Sequence, residues 1–151
     1  MGKARRNYQT QWAGQFGAAH ELARRGYLVT FTTGNAPGTD LLCESPGRVL
    51  FKVQVKSVSG KNAFICQRSL LKPDDKLFLI FVSLPPPLRE HPRYFILNHE
   101  QFLRVIAAQD RYAQEKTKRT GKTYADFPYS GFLYSVLEKF DFCDAWENLP
   151  V

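Results

Sequence analysis

Residues 38–57 read Gly38-Thr39-Asp40-Leu41-Leu42-Cys43-Glu44-Ser45-Pro46-Gly47-Arg48-Val49-Leu50-Phe51-Lys52-Val53-Gln54-Val55-Lys56-Ser57. Two apolar runs, 40–44 and 49–56, flank the turn-forming Ser45-Pro46-Gly47, which predicts a β-hairpin. Side chains alternate along a strand. Val49, Phe51, Val53 and Val55 therefore share one face, and Leu50, Lys52, Gln54 and Lys56 the other. The first face is core. The second ends in Gln54 and Lys56, a polar pair for which a purely structural strand has no need. Asp40 begins the partner run just after Pro37-Gly38. An acid on one strand and Gln and Lys two apart on the next can converge at one end of a hairpin. They offer oxygen ligands for a hard cation with an ammonium beside it. Mg²⁺ takes one or two carboxylates, completed by carbonyls, waters and substrate phosphates.

Upstream, residues 10–25 carry a helical period, with Trp12, Phe16, Ala19, Leu22 and Ala23 as its apolar stripe and Gly26 where a C-terminal cap belongs. Gly14, Gly17 and Ala18 lie on the face that Glu21 shares. Small residues there let a helix approach a sheet and bring Glu21 towards a strand end. His20 points about 100° away and stays outside the site. Residues 1–9 read as a flexible basic arm whose Lys3, Arg5 and Arg6 can touch phosphates, or as a solubilising tail. Residues 27–33 read as a first strand, and 33–38 as the loop delivering the chain to Asp40.

Downstream of Ser57 come the loop Ser59-Gly60-Lys61-Asn62, a short apolar run over 63–66, and a segment, 67–75, that Pro73 limits to a short helix. Residues 76–84 are the most apolar run and have the length of a strand buried on both faces. A second strand is expected over 94–97. Asn98 then opens a helix with Gln101 at the capping-box position and Phe102, Val105, Ile106 and Ala113 on its buried side. That helix runs out into a basic end, 115–122, a second place for phosphate contacts. Residues 130–140 repeat the helical period, and Trp146 and Leu149 dock the tail. His91 and His99 read as surface residues.

At 151 residues the chain suits a single domain, 1–151, and 44% hydrophobic with 23% charged residues is an ordinary globular balance. No run approaches the ~20 apolar residues of a membrane span. Three cysteines, Cys43, Cys66 and Cys143, sit far apart among apolar neighbours. They read as free thiols in a reducing, cytoplasmic setting. A net charge of +7 favours a polyanionic partner, nucleic acid above all.

Asp40, a spacer, then Gln54-Val55-Lys56, preceded by Glu21 on a helix, Gly-Tyr into a strand and Pro-Gly-Thr-Asp, resembles the PD-(D/E)XK nuclease superfamily. The pattern is similar to that of archaeal Holliday-junction resolvases and small bacterial restriction-endonuclease-like proteins. It spans residues 10–84. The resemblance implies an α/β fold: a restriction-endonuclease-like mixed β-sheet flanked by helices, here with added C-terminal helices. It implies a metal-dependent endonuclease cutting DNA, with structured or branched DNA as one substrate and RNA left open. Catalysis would fall to Glu21, Asp40, Gln54 and Lys56. Mg²⁺, with Mn²⁺ as substitute, would be held by Asp40, Gln54, the Val55 carbonyl and Glu21. Lys3, Arg5, Arg6, Ser57 and Lys61 would contact nucleic acid. Cutting both strands takes two sites, which allows a homodimer. The family's usual residue at position 54 is Asp or Glu; Gln keeps an oxygen but removes a charge. The rival expectations are a catalytically silent nucleic-acid-binding protein of the same fold, and an interaction protein whose charge serves only solubility.

Overall fold

A computed structural model of the chain describes residues 2–33, 37–87, 89–121 and 130–151. Part of the expected 33–38 loop, and Lys122 at the end of the basic segment, lie outside the described residues. The order is α1 (Lys3–Arg24), β1 (Leu28–Phe31), β2 (Leu41–Glu44), β3 (Leu50–Ser59), β4 (Phe64–Cys66), β5 (Leu77–Leu84), β6 (Arg93–Asn98), α2 (His99–Thr120), β7 (Ser130–Phe132) and a one-turn α3 (Tyr134–Leu137). One 3-10 turn, Arg68–Leu71, lies between β4 and β5, and another, Trp146–Asn148, near the C-terminus.

The fold is mixed α/β. Five strands form one sheet in the order β1-β2-β3-β5-β6, antiparallel throughout except where β3 runs parallel to β5. The hairpin is β2–β3, with Leu41 opposite Val53 and Glu44 opposite Leu50. β5 lies inside the sheet, between β3 and β6, and divides two cores. Phe78, Ile80 and Val82 join Leu41, Cys43, Phe51, Val53, Val55 and Ile96 under Ala18, Ala19 and Leu22 of α1. Leu77, Leu79 and Phe81 face the other way, into Phe64, Phe95, Phe102 and Phe132. That double burial is why the run lacks alternation.

Four expectations change. Residues 3–9 are helical and extend α1, so Lys3, Arg5 and Arg6 ride on exposed turns of a helix and not on a loose arm. The buried side of α1 is Gly14, Gln15, Ala18, Ala19 and Leu22, while Phe16 is exposed, because two glycines draw that side onto the sheet. A Cβ on Gly14 would overlap Ser57, and one on Gly17 would crowd the Tyr94 hydroxyl. The added C-terminal helices reduce to α2 and the single turn of α3. Ser130–Phe132 instead pairs with β4 as a strand, where Gly131 packs so close to the Phe64 carbonyl that no side chain fits. His99 is buried, its Nε2 2.6 Å from the Leu70 carbonyl oxygen.

The rest follows local chemistry. Asn98 and Gln101 form the capping box reciprocally, Gln101 N donating to Asn98 Oδ1 and Asn98 N to Gln101 Oε1, both at 2.8 Å. The tail is docked: Leu149 is buried, and Tyr27 donates its hydroxyl to the Pro150 carbonyl at 2.9 Å. Cys43 and Cys66 are buried free thiols and Cys143 is half-buried; burial alone pushes Cys43 up to about 12. Among the described residues no helix is long and apolar enough to cross a membrane.

Candidate functional site

Asp40 sits just before β2, where the chain joins the sheet. Its amide donates to the Val53 carbonyl at 2.9 Å, and its carbonyl accepts from Thr32 N at 3.0 Å. Pairing with β3 stops there, so the next outward-pointing amide of β3, Val55 N–H, has no strand partner. The Asp40 side chain takes that place, with Oδ2 accepting from Val55 N at 2.8 Å. Gln54, opposite Asp40 in register, donates Nε2 to the same Oδ2 at 2.5 Å. Only an amide nitrogen is compatible there, because the amide oxygen would oppose a carboxylate.

Oδ1 of Asp40 accepts from Gln15 Nε2 of α1 at 3.0 Å. Gln15 is 7% exposed and is the helical residue that reaches the site. The reading of the helix missed it, although its place beside Gly14, on the small-residue side, was the available clue. Glu21, expected there, is elsewhere. It lies six residues and about 9 Å further along the helix axis. Arg25 and Arg24 capture its carboxylate, which holds it below the usual range, with the Arg25 hydrogen bond the largest cause. The Glu21 charge acts on Tyr94 of β6, and Arg25 stacks 4.1 Å over Trp146, so this cluster fastens α1 to the tail. Glu21 is therefore removed from the catalytic and metal-holding set.

Lys56 follows Gln54 on the same face of β3 and is half-buried. Its charge reaches both Asp40 and Cys66, and among the described residues it enters no ion pair. Asp40 is nonetheless raised above the ordinary aspartate value. Desolvation dominates, partly offset by the Val55 N–H bond and by Lys56. A raised carboxyl means that folding favours its neutral form. Its contribution to stability is complete below the unfolded value and is lost as pH rises through the folded one. Asp40→Asn should therefore raise Tm at pH 7 by about 1–4 °C. The difference should shrink as pH falls through and below the ordinary aspartate value, as Asp40 becomes protonated in the unfolded chain too. A Tm unchanged across that range in calorimetry would count against the assignment.

Ser57 is half-buried where α1 crosses β3, its side chain filling the space left by Gly14, so it packs the helix and does not line an open groove. Lys61 lies past the end of β3, 5.5 Å over the Tyr134 ring. Thr10 Oγ1 and Ser59 Oγ, 3.4 Å apart, bring the first half of α1 to that same end. Lys3, Arg5 and Arg6 therefore lie beyond it. The C-terminal end of β3 thus has Lys61 and the basic start of α1 beyond it, while Lys56 stands three residues inside the strand.

The groups here that could ligate a hard cation are the Asp40 carboxylate, which already accepts three N–H donors, and the Val55 carbonyl. The Val55 carbonyl points to the side that β2 has vacated, where its neighbour is Gln54 Nε2 at 3.5 Å, too far to satisfy it. The Gln54 NH₂ thus lies between two acceptors, a neutral stand-in for positive charge; turned over, the amide would present its oxygen there. No group of three or more His, Cys, Asp or Glu that could hold a metal occurs among the described residues, so carbonyls and water would have to complete the shell. Compared with models of known protein families, with curated proteins and with solved structures, the chain matches none.

Proposed function

We propose that the protein is a Mg²⁺-dependent endonuclease of the PD-(D/E)XK kind, with a restriction-endonuclease-like sheet, hydrolysing phosphodiester bonds in DNA. The observation that carries this reading is the Asp40 carboxylate, at the start of β2, hydrogen-bonded to the Val55 amide of β3 with the charge of Lys56 acting on it. Asp40 and the Val55 carbonyl, with a turned Gln54 amide, would hold the ion. When bound, Mg²⁺ acidifies water and neutralises charge on a phosphate. The chain's own residues do the remaining work. Gln15 orients Asp40 from the helix, and Lys56 holds an ammonium where negative charge accumulates on the scissile phosphate. The basic start of α1 and Lys61 draw the polyanion to that end of the sheet.

A silent nucleic-acid-binding protein is the second reading, and one observation favours it: both amides, Gln15 and Gln54, donate to Asp40, which leaves a single carboxylate. The test is nicking of plasmid and branched DNA with Mg²⁺ or Mn²⁺ and with chelator. Wild type should nick only with metal. Asp40→Asn should abolish nicking and Lys56→Ala should cut it steeply, both retaining DNA within a few-fold. Wild type that retains DNA in a salt-dependent way and never nicks it supports the silent reading. Gln54→Glu, which restores an anion, should tighten Mg²⁺ or Mn²⁺ binding by about tenfold or more in titration calorimetry. An unchanged affinity would remove Gln54 from the ion's neighbourhood.

A further inference from the structure

The outer side of α1 carries three aromatic residues at four-residue intervals, Tyr8, Trp12 and Phe16, which places them in one row along the helix. Trp12 and Phe16 stack at 5.1 Å and 28°; Tyr8 meets Trp12 edge-on at 6.1 Å. Phe31, at the end of β1, closes the row 5.5 Å from Phe16. The row is only partly covered: Tyr8 is 62% and Phe16 57% exposed, while Trp12 and Phe31 are half-buried. The row begins just after Lys3, Arg5 and Arg6, which crowd the N-terminal end of α1. The helix dipole disfavours cations there, and the first turn has no acidic residue to offset them. The row ends at the Asp40 site. Phe31 pairs across β1 and β2 with Leu41, the residue after Asp40, and Phe16 follows Gln15, which holds Asp40.

Exposed ring faces behind a group of cations match unpaired nucleotides, whose bases stack on aromatics while their phosphates meet Lys and Arg. We propose that Tyr8, Trp12, Phe16 and Phe31 form a stacking strip that guides single-stranded nucleic acid from the basic start of α1 to Asp40 and Lys56. The inference rests on the nucleic-acid reading above and names its substrate class: an unpaired strand, flap or branch arm, and not intact duplex, whose base faces are hidden.

The full-length protein is tested in chelator, where no strand is cut, with oligo-dT, oligo-rU and a blunt duplex of equal length. The chain has two tryptophans, Trp12 and the docked Trp146, so ligand on the strip should quench Trp12. Either single strand should bind at least about tenfold tighter than duplex. Tyr8→Ala and Phe16→Ala should each weaken that binding about tenfold, with thermal unfolding unchanged. Phe16→Leu, apolar but without a π face, should behave as Phe16→Ala does. Replacing Lys3, Arg5 and Arg6 together by Ala should reduce the slope of log affinity against log salt by about 2. The strip is overturned if the aromatic variants bind single strands like wild type, or if duplex binds as tightly. It is also overturned if Phe16→Ala instead abolishes a concentration-dependent dimer, which would make the row a contact between copies. Absence of nicking by the wild type sinks the cleavage reading and leaves the strip standing. Undiminished binding by the aromatic variants sinks the strip and leaves cleavage standing.

Discussion

Lys56→Ala is expected to lower metal-dependent DNA nicking by about 10²–10³-fold, roughly 3–4 kcal/mol of barrier, and to change DNA retention by no more than a few-fold. The size of the effect comes from where the ammonium is fixed. Lys56 stands on β3, paired in parallel register with Phe81 of the fully buried β5, so the strand under it cannot relax. Its charge already acts on the partly buried Asp40 carboxylate. In such surroundings a fixed cation acts on developing phosphate charge without reorganising. Binding depends on many phosphate contacts and loses only one. The measurement is initial nicking rate on supercoiled plasmid, beside a filter-binding curve in chelator. Equal rates for the variant and the wild type would assign the activity to another protein in the preparation.

The largest expected effect on stability falls on a residue without chemistry. Gly14→Ala should destabilise by about 1–3 kcal/mol, lowering Tm by about 3–10 °C. A methyl there lands on both Oγ and Cβ of Ser57, whose backbone is held in register against Val82 of the buried β5. The helix must move instead, and it carries Gln15 away from Asp40. Ser57→Gly vacates the space, so the double variant should recover much of the loss. A double-mutant cycle should return a coupling of about 1 kcal/mol or more. Simple additivity would show that α1 does not press on β3 at this point.

The places where the sequence reading failed have two causes, a local ion pair that was overlooked and partners distant in sequence. Glu21 was drawn to the site because it lies on the small-residue side of the helix, but Arg24 and Arg25 stand three and four residues on, where a helix brings opposite charges together. That local pairing took the carboxylate before any strand could. Gln15 carried no charge to mark it, and its role depends on how far the glycines let the helix sink. Phe132 and Leu133 fit a helical period as well as a strand. The choice was made by β4, a segment about 65 residues away that pairs with Ser130–Phe132. His99 looked like a surface residue because its partner, the Leu70 carbonyl, comes from the distant 3-10 turn.

What the chain alone determined is local in origin. Period-two alternation put Gln54 and Lys56 on one face of β3, unbroken hydrophobicity marked β5 as a strand buried on both faces, and Asn98 with Gln101 opened α2. Each depends on residues within one turn or one strand of each other. The tertiary structure decided which polar group of α1 meets Asp40, that Val55 lends its amide and carbonyl to the same spot, and that Tyr8 and Phe16 stay exposed beside a half-buried Trp12. Those outcomes depend on how closely helix and sheet approach, a distance set by side chains far apart in sequence and written in none of them singly.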